Sequence, residues 1–145
     1  MVSTAYLLDT NVISELRKPR QHAGVVAFIR NLPLDDLYTS VVTLAELRAG
    51  IEALDDLDKR TPLHDWLNHQ VRPLFDGRVL PISEDVMVRW HMLVRAGRKI
   101  GHMYSQPDLI IAATALHHGL ALVTRNTSDY TRTGLTLVNP WDDAR

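Results

Sequence analysis

Apolar residues in this chain follow two alternating patterns: short unbroken runs that stop at polar groups, and longer stretches in which they recur every three or four positions. The first run, 5–8, ends at Asp9, Thr10 and Asn11, after which Val12, Ile13 and Leu16 recur at helical spacing until Pro19. This predicts a buried strand, a polar junction and a short helix. Val25, Val26, Phe28, Ile29 and Leu32 predict a second helix over 24–32, closed by Pro33. The β-branched stretch 37–42 predicts a second strand, and Leu44, Leu47, Ile51 and Leu54 a third helix from about Thr43, ended by the charge run 55–60. Pro62 stands where helices start, ahead of a stripe made by Leu63, Trp66, Leu67, Val71, Leu74 and Phe75.

The second half repeats the alternation. A strand over 79–82 contains Pro81, which cannot donate to a ladder and therefore belongs at a sheet edge. Ser83 caps the next helix, with Glu84 and Asp85 in its first turn, and the helix runs through Val86, Trp90 and Leu93 to about Gly97. Residues 97–106 carry the least pattern and are expected to form a mobile loop or a loosened helix end. Pro107 and Asp108 open an almost wholly apolar helix that Gly119 stops, so that helix must be buried. The run 120–123 resembles 5–8 and also stops at polar residues, Thr124, Arg125 and Asn126; Val138 ends a last short strand. Strand and helix in alternation predict an α/β protein, a three-layer α/β/α sandwich with a mainly parallel sheet.

Composition narrows the class. At 145 residues, with 46% hydrophobic and 23% charged residues, the chain is expected to be a single domain over 1–145 with a real core. It has no cysteine, so neither a disulfide framework nor a thiolate metal site is available, and a reducing cytoplasm suits it. No apolar run approaches a membrane span, and Asp9 and Glu15 interrupt the place of a signal peptide, so the expectation is a soluble, unexported, cytoplasmic protein. The formal net charge of −1 gives no global attraction to a polyanion; such a partner would need a local basic patch.

The predicted topology brings acids together. Asp9 follows the first strand, Glu46 lies in the first turn of the helix leaving the second, and Asp108 lies in the first turn of the helix leading to 120–123. In a parallel α/β sheet those positions share the edge beyond the carboxyl ends of the strands. Asn126 and Asp129 arrive at that edge too. Acids gathered with no interleaved Lys or Arg repel one another unless a cation lies between them, and oxygen-rich clusters suit Mg²⁺, with Mn²⁺ as the alternative. Each acid also has a structural reading: Asp9 as a helix cap, Glu46 as the end of the capping box Thr43-Leu44-Ala45-Glu46, Asp108 as a partner of the helix dipole.

Five motifs carry a resemblance. Leu-Leu-Asp-Thr-Asn-Val-Ile-Ser-Glu-Leu at 7–16, Thr-Leu-Ala-Glu-Leu-Arg-Ala-Gly at 43–50, Pro-Asp-Leu-Ile-Ile-Ala-Ala-Thr-Ala at 107–115, Val-Thr-Arg-Asn-Thr at 123–127 and Asn-Pro-Trp-Asp at 139–142 resemble the PIN-domain ribonucleases. Within these they look most like the VapC toxins of toxin–antitoxin pairs, in the FitB-like branch. The resemblance implies a Mg²⁺- or Mn²⁺-dependent endoribonuclease, homodimeric, that cleaves transfer or ribosomal RNA and is held in a higher assembly by a VapB- or FitA-like antitoxin. Asp9, Glu46 and Asp108 match the first three acids of the family, whereas Asn126 stands where many relatives have a fourth. That departure leaves the second metal position open, and Asp129 could reach it through one helical turn.

The chemistry that fits both lines of reasoning is phosphodiester hydrolysis by metal-activated water, with Asp9, Glu46 and Asp108 catalytic and Asn126 and Asp129 as further ligands. Thr10, Asn11, Ser40 and Thr124 are candidate donors that orient the carboxylates, and Arg48, Arg98, Lys99 and Arg125 candidate contacts to RNA phosphates. The histidines show no metal-binding spacing, and Trp66, Trp90 and Trp141 read as core or interface residues. The stripe over 63–75 is a candidate dimer face, with core packing as the competing account. Two alternatives remain: a PIN-like module that binds RNA or antitoxin without efficient cleavage, and a phosphohydrolase using Asp9 as nucleophile, for which the second acid is missing at Asn11.

Overall fold

The computed structural model describes residues 4–102 and 106–142. Its centre is β1 (Tyr6–Leu8), flanked by β2 (Leu37–Ser40) and β4 (Ala121–Val123), with β3 (Val79–Leu80) outside β2 and β5 (Leu137–Val138) outside β4. All four pairings are parallel, and the order is β3-β2-β1-β4-β5. β1 and β4 are unbroken apolar runs because both faces are covered, as the sequence predicts for a parallel sheet, whereas β2 ends in the buried polar residues Thr39 and Ser40.

Alternate residues of each strand feed two cores. Leu8, Leu37 and Val123 meet Val12 and Ile13 of α1 (Thr10–Glu15), Val25 of α2 (Ala23–Arg30) and Leu44, Leu47 and Ile51 of α3 (Val41–Glu52) on one face. On the other, Leu7 and Leu122 meet Ile111, Ala112 and Ala115 of α7 (Gln106–His118), with Leu93 of α6 (Glu84–Lys99) packed alongside. The result is the expected three-layer α/β/α sandwich, and each fully buried Leu or Ile contributes roughly 1.5–3 kcal/mol. Gly119, at φ +66°, reverses the chain from α7 into β4 as the sequence anticipates.

Several boundaries differ from the sequence reading. The second strand stops at Ser40, and Ser40, not Thr43, caps α3: its hydroxyl accepts from the Thr43 N–H at 3.1 Å. The capping box therefore does not form, and Glu46 stands in the second turn of the helix. The charge run 55–60 starts a helix instead of ending one. Asp56 accepts from the Asp58 N–H at 2.9 Å, and α4 (Leu57–Trp66) runs with Pro62 inside it. Pro62 and Asp58 are exposed, so water can take the place of the helical bond that Pro62 removes. The chain continues through a π turn (Leu67–Val71) into α5 (Arg72–Leu74).

The stripe over 63–75 belongs to the core. Leu67, Val71 and Phe75 are each 1% exposed, and Leu63, Trp66 and Leu74 pack partly buried against the same cluster. Helix α6 extends past Gly97 to Lys99, where Gly101 at φ +70° ends it, so the first part of 97–106 is helical; residues 103–105 lie outside the described residues.

Candidate active site

Asp9 leaves β1 in extended conformation (φ −73°, ψ 163°) and caps α1, its Oδ1 accepting from the Thr10 N–H at 2.7 Å. The cap and the chemical candidate are thus the same residue. Its other oxygen accepts from the Thr124 hydroxyl at 2.9 Å, and the side chain is 3% exposed. Burial pushes the carboxyl up to about 6, and the nearby Asp108 and Glu46 carboxylates add to the rise, against the two hydrogen bonds that lower it. A carboxylate so opposed is a site in want of positive charge.

Thr124 is the junction of this edge. Besides donating to Asp9, its Oγ1 accepts from the Asn11 amide and from the Asn126 N–H, each at 3.1 Å. Asn11 in turn accepts from the Arg125 N–H at 3.1 Å, so the start of α1 and the segment leaving β4 are locked together. A second chain of hydroxyls supports Glu46: Thr10 Oγ1 donates to Glu46 Oε1 at 2.9 Å, with Thr43 Oγ1 3.3 Å from the hydroxyls of both Thr10 and Ser40. Of the four candidate donors, Thr10 and Thr124 reach a carboxylate directly, Asn11 acts one step removed through Thr124, and Ser40 two steps removed through Thr43 and Thr10.

Asp9, Asp108 and Asn126 line one open cavity of about 380 Å³. Glu46 lines a neighbouring, more apolar cavity of about 210 Å³ with Leu47, Ile51 and Trp66, and the two share Thr10 and Ser14. The predicted acids thus converge on one edge, with Glu46 across Thr10 from the other two. Among the described residues no three acids or histidines already form a closed metal cage. Two carboxylates and an amide lining one cavity nevertheless suit Mg²⁺, which keeps several waters and takes one or two carboxylates. Asp129 is exposed and stands outside the cavity lining; its N–H donates to the Asn126 carbonyl at 3.1 Å, closing a 3-10 turn over Thr127–Tyr130. Tyr130 is buried behind the site, and burial together with the surrounding acids keeps its phenol protonated far above the ordinary range.

Of the candidate basic residues, Arg125 lines the acidic cavity, while Arg48, Arg98 and Lys99 are exposed and outside its lining. Sequence reasoning missed four residues of that lining: Ser14, Glu15, Lys18 and Trp141. The i,i+3 spacing of Glu15 and Lys18 was the one local signal. Trp141, read as core or interface, packs partly against the core yet also presents its ring to Arg125, whose Cζ lies 5.2 Å from the ring centre.

A five-stranded parallel sheet of this order, with a buried aspartate and two further acids beyond its strand ends, defines an α/β protein with an acidic edge. The family model described as PIN domain matches residues 6–134. "Toxin FitB" of Neisseria gonorrhoeae is 39% identical over 137 residues, covering 94% of this chain and 99% of the relative. "VapC ribonuclease Y4jK" of Sinorhizobium fredii is 39% identical over 138 residues, covering 95% and 99%. The solved structure "FitAcB from Neisseria gonorrhoeae" superposes with a TM-score of 0.88 at 39% identity, over 94% of this chain and 98% of that one. The chain belongs to the PIN-domain family, in the branch that holds the FitB and VapC toxins.

Proposed function

We propose that the protein is a metal-dependent endoribonuclease, the toxin of a VapBC-type pair, acting as a single domain in the cytoplasm. The observation that carries this is the buried Asp9 carboxylate, opposed by burial and by Asp108 and Glu46, at the wall of an open cavity. Asp9 and Asp108 would hold Mg²⁺ or Mn²⁺, with Asn126 offering an amide carbonyl and Glu46 acting through water. When bound, such a cation stabilises charge developing on phosphate oxygens and lowers the pKa of a coordinated water.

The chain's own residues do the rest. Thr124 and the Thr10 N–H fix both oxygens of Asp9, and Thr10 fixes one oxygen of Glu46, leaving Glu46 Oε2 to accept a proton from the attacking water. No side-chain nucleophile is required. The names of the relatives favour turnover over a binding module without cleavage, since one of them is named a ribonuclease. An antitoxin of the VapB or FitA kind and a homodimeric state are part of the proposal, as is transfer or ribosomal RNA as substrate. Among the described residues no helix is long and apolar enough to cross a membrane.

The test is incubation of a mixed cellular RNA pool with the purified protein in Mg²⁺, Mn²⁺ or EDTA, beside a D9N/D108N double variant. Discrete fragments that need metal and vanish in the variant support the reading. Intact RNA in all conditions, with the protein folded, overturns it.

A further inference from the structure

The acidic floor of the cavity poses a problem for its substrate. Asp9 and Asp108 by themselves repel a polyanion, and the chain as a whole carries a net charge of −1, so phosphate affinity beyond that of a bound metal has to come from side-chain cations placed locally. The cavity lining contains two, Lys18 and Arg125. Both are held in ways that an ordinary surface cation is not.

Lys18 is tethered by Glu15. The Glu15 side chain is 5% exposed; one oxygen accepts from Lys18 Nζ at 2.9 Å and the other from the His22 N–H at 3.0 Å. With both oxygens fixed, the ammonium is fixed too, yet the Lys18 side chain remains 53% exposed and has two further protons to donate. Arg125 is held from three directions. Its N–H donates to Asn11, its carbonyl accepts from the Asn139 amide at 3.2 Å, and its guanidinium lies over the Trp141 ring. Trp141 is itself set in place, its N–H donating to Asn139 Oδ1 at 3.0 Å. The Glu15 ion pair and the Trp141 ring thus each restrict one cation's side chain before a phosphate arrives. The long reach of Lys18 and the planar fork of Arg125 suit two different phosphates of one strand. The cavity is an open cleft beside a sheet edge, a shape that admits a backbone with its bases unpaired.

On the reading that the protein cleaves RNA, we propose that Lys18, positioned by Glu15, and Arg125, positioned by Trp141, form a two-cation rim that grips phosphates flanking the scissile bond of a single-stranded RNA segment. Lys18 and Arg125 are binding residues; Glu15 and Trp141 are positioning residues.

The experiment measures binding of a fluorescein-labelled single-stranded RNA of mixed sequence by anisotropy, in EDTA so that nothing is cut, over a series of salt concentrations. Removing one cation that neutralises a phosphate of a single strand lowers the slope of log K against log salt by about 0.7. K18Q and R125Q are each expected to lower it by about that much and the double variant by about twice as much, while R30Q, an exposed change on α2, leaves it unchanged. K18R should restore the wild-type slope. E15Q is expected to raise the KM for metal-dependent cleavage several-fold with kcat unaltered, a split that mere loosening of α1 would not produce. Wild-type slopes in the K18Q/R125Q protein overturn the rim while leaving the ribonuclease reading in place. Failure of the wild-type protein both to bind and to cleave overturns the two together. An E15Q protein that melts earlier but keeps its KM removes Glu15 from the proposal.

Discussion

Replacing Asp9 by Asn is expected to stabilise the metal-free protein. Asp9 is nearly buried at the cavity wall, with its carboxyl raised from 3.8 to about 6. The folded state therefore binds this proton more tightly than the unfolded chain, so its contribution is present below about pH 4 and is lost as pH rises through about 6. Near neutral pH the whole penalty is in force, and a shift of that size corresponds to about 3 kcal/mol at most. An amide removes the charge but fits the surroundings less well. The Thr124 hydroxyl donates to Asp9 and already accepts from Asn11 and Asn126, so it has no lone pair for a new N–H, and that mismatch returns about 1 kcal/mol. A net gain of about 1–2 kcal/mol is expected. Urea unfolding in EDTA at about pH 7.5 and again at about pH 4 reads it: D9N should be the more stable protein at the higher pH, with the advantage gone or reversed at the lower. Added Mg²⁺ should then raise the midpoint of the wild type and not that of D9N. A D9N protein less stable than wild type by the same margin at both pH values would refute the reasoning, because the charge on Asp9 would then carry no strain.

Two further substitutions probe the framework. T124V removes the donor to Asp9 and leaves the Asn11 amide and the Asn126 N–H without their acceptor; it should lower stability by about 1–3 kcal/mol in urea unfolding and weaken Mg²⁺ binding by about tenfold or more by calorimetry. L67A, in the stripe that the sequence left between core and dimer face, should lower stability by about 2–5 kcal/mol without changing the sedimentation coefficient of the folded protein, because Leu67 is 1% exposed within the chain's own core.

How far the sequence could be read depended on whether a signal was local. The runs before Asp9 and Thr124 announce themselves as buried parallel strands because each is apolar on both faces; β3 does lie at an edge, but it ends at Leu80, so Pro81 follows the strand instead of interrupting it. Helix starts were harder. Ser40 and Thr43 are both good caps three residues apart, and only the packing of Thr43, wholly buried against the Thr10 hydroxyl, decides between them. Pro62 resembles a helix start, yet Asp56 lies earlier and takes the cap. At the site, Asp9, Glu46 and Asp108 were legible because topology alone brings them to one edge. Glu15, Lys18 and Trp141 were not, since their place in the cavity wall depends on how the end of α1 meets residues 139–142.

The Thr124 junction also bears on when the protein can become active during synthesis. The hydrogen bond that completes Asp9 comes from a residue 115 positions further along, just past β4, which must first pair beside β1. A growing chain that has exposed Asp9 and Glu46 still lacks Asp108, Thr124 and Arg125. Until that long-range pairing closes, the acids have neither their orienting donors nor their cationic rim, so a nascent or partly folded chain is expected to be harmless to the RNA around it, including the ribosome on which it is being made.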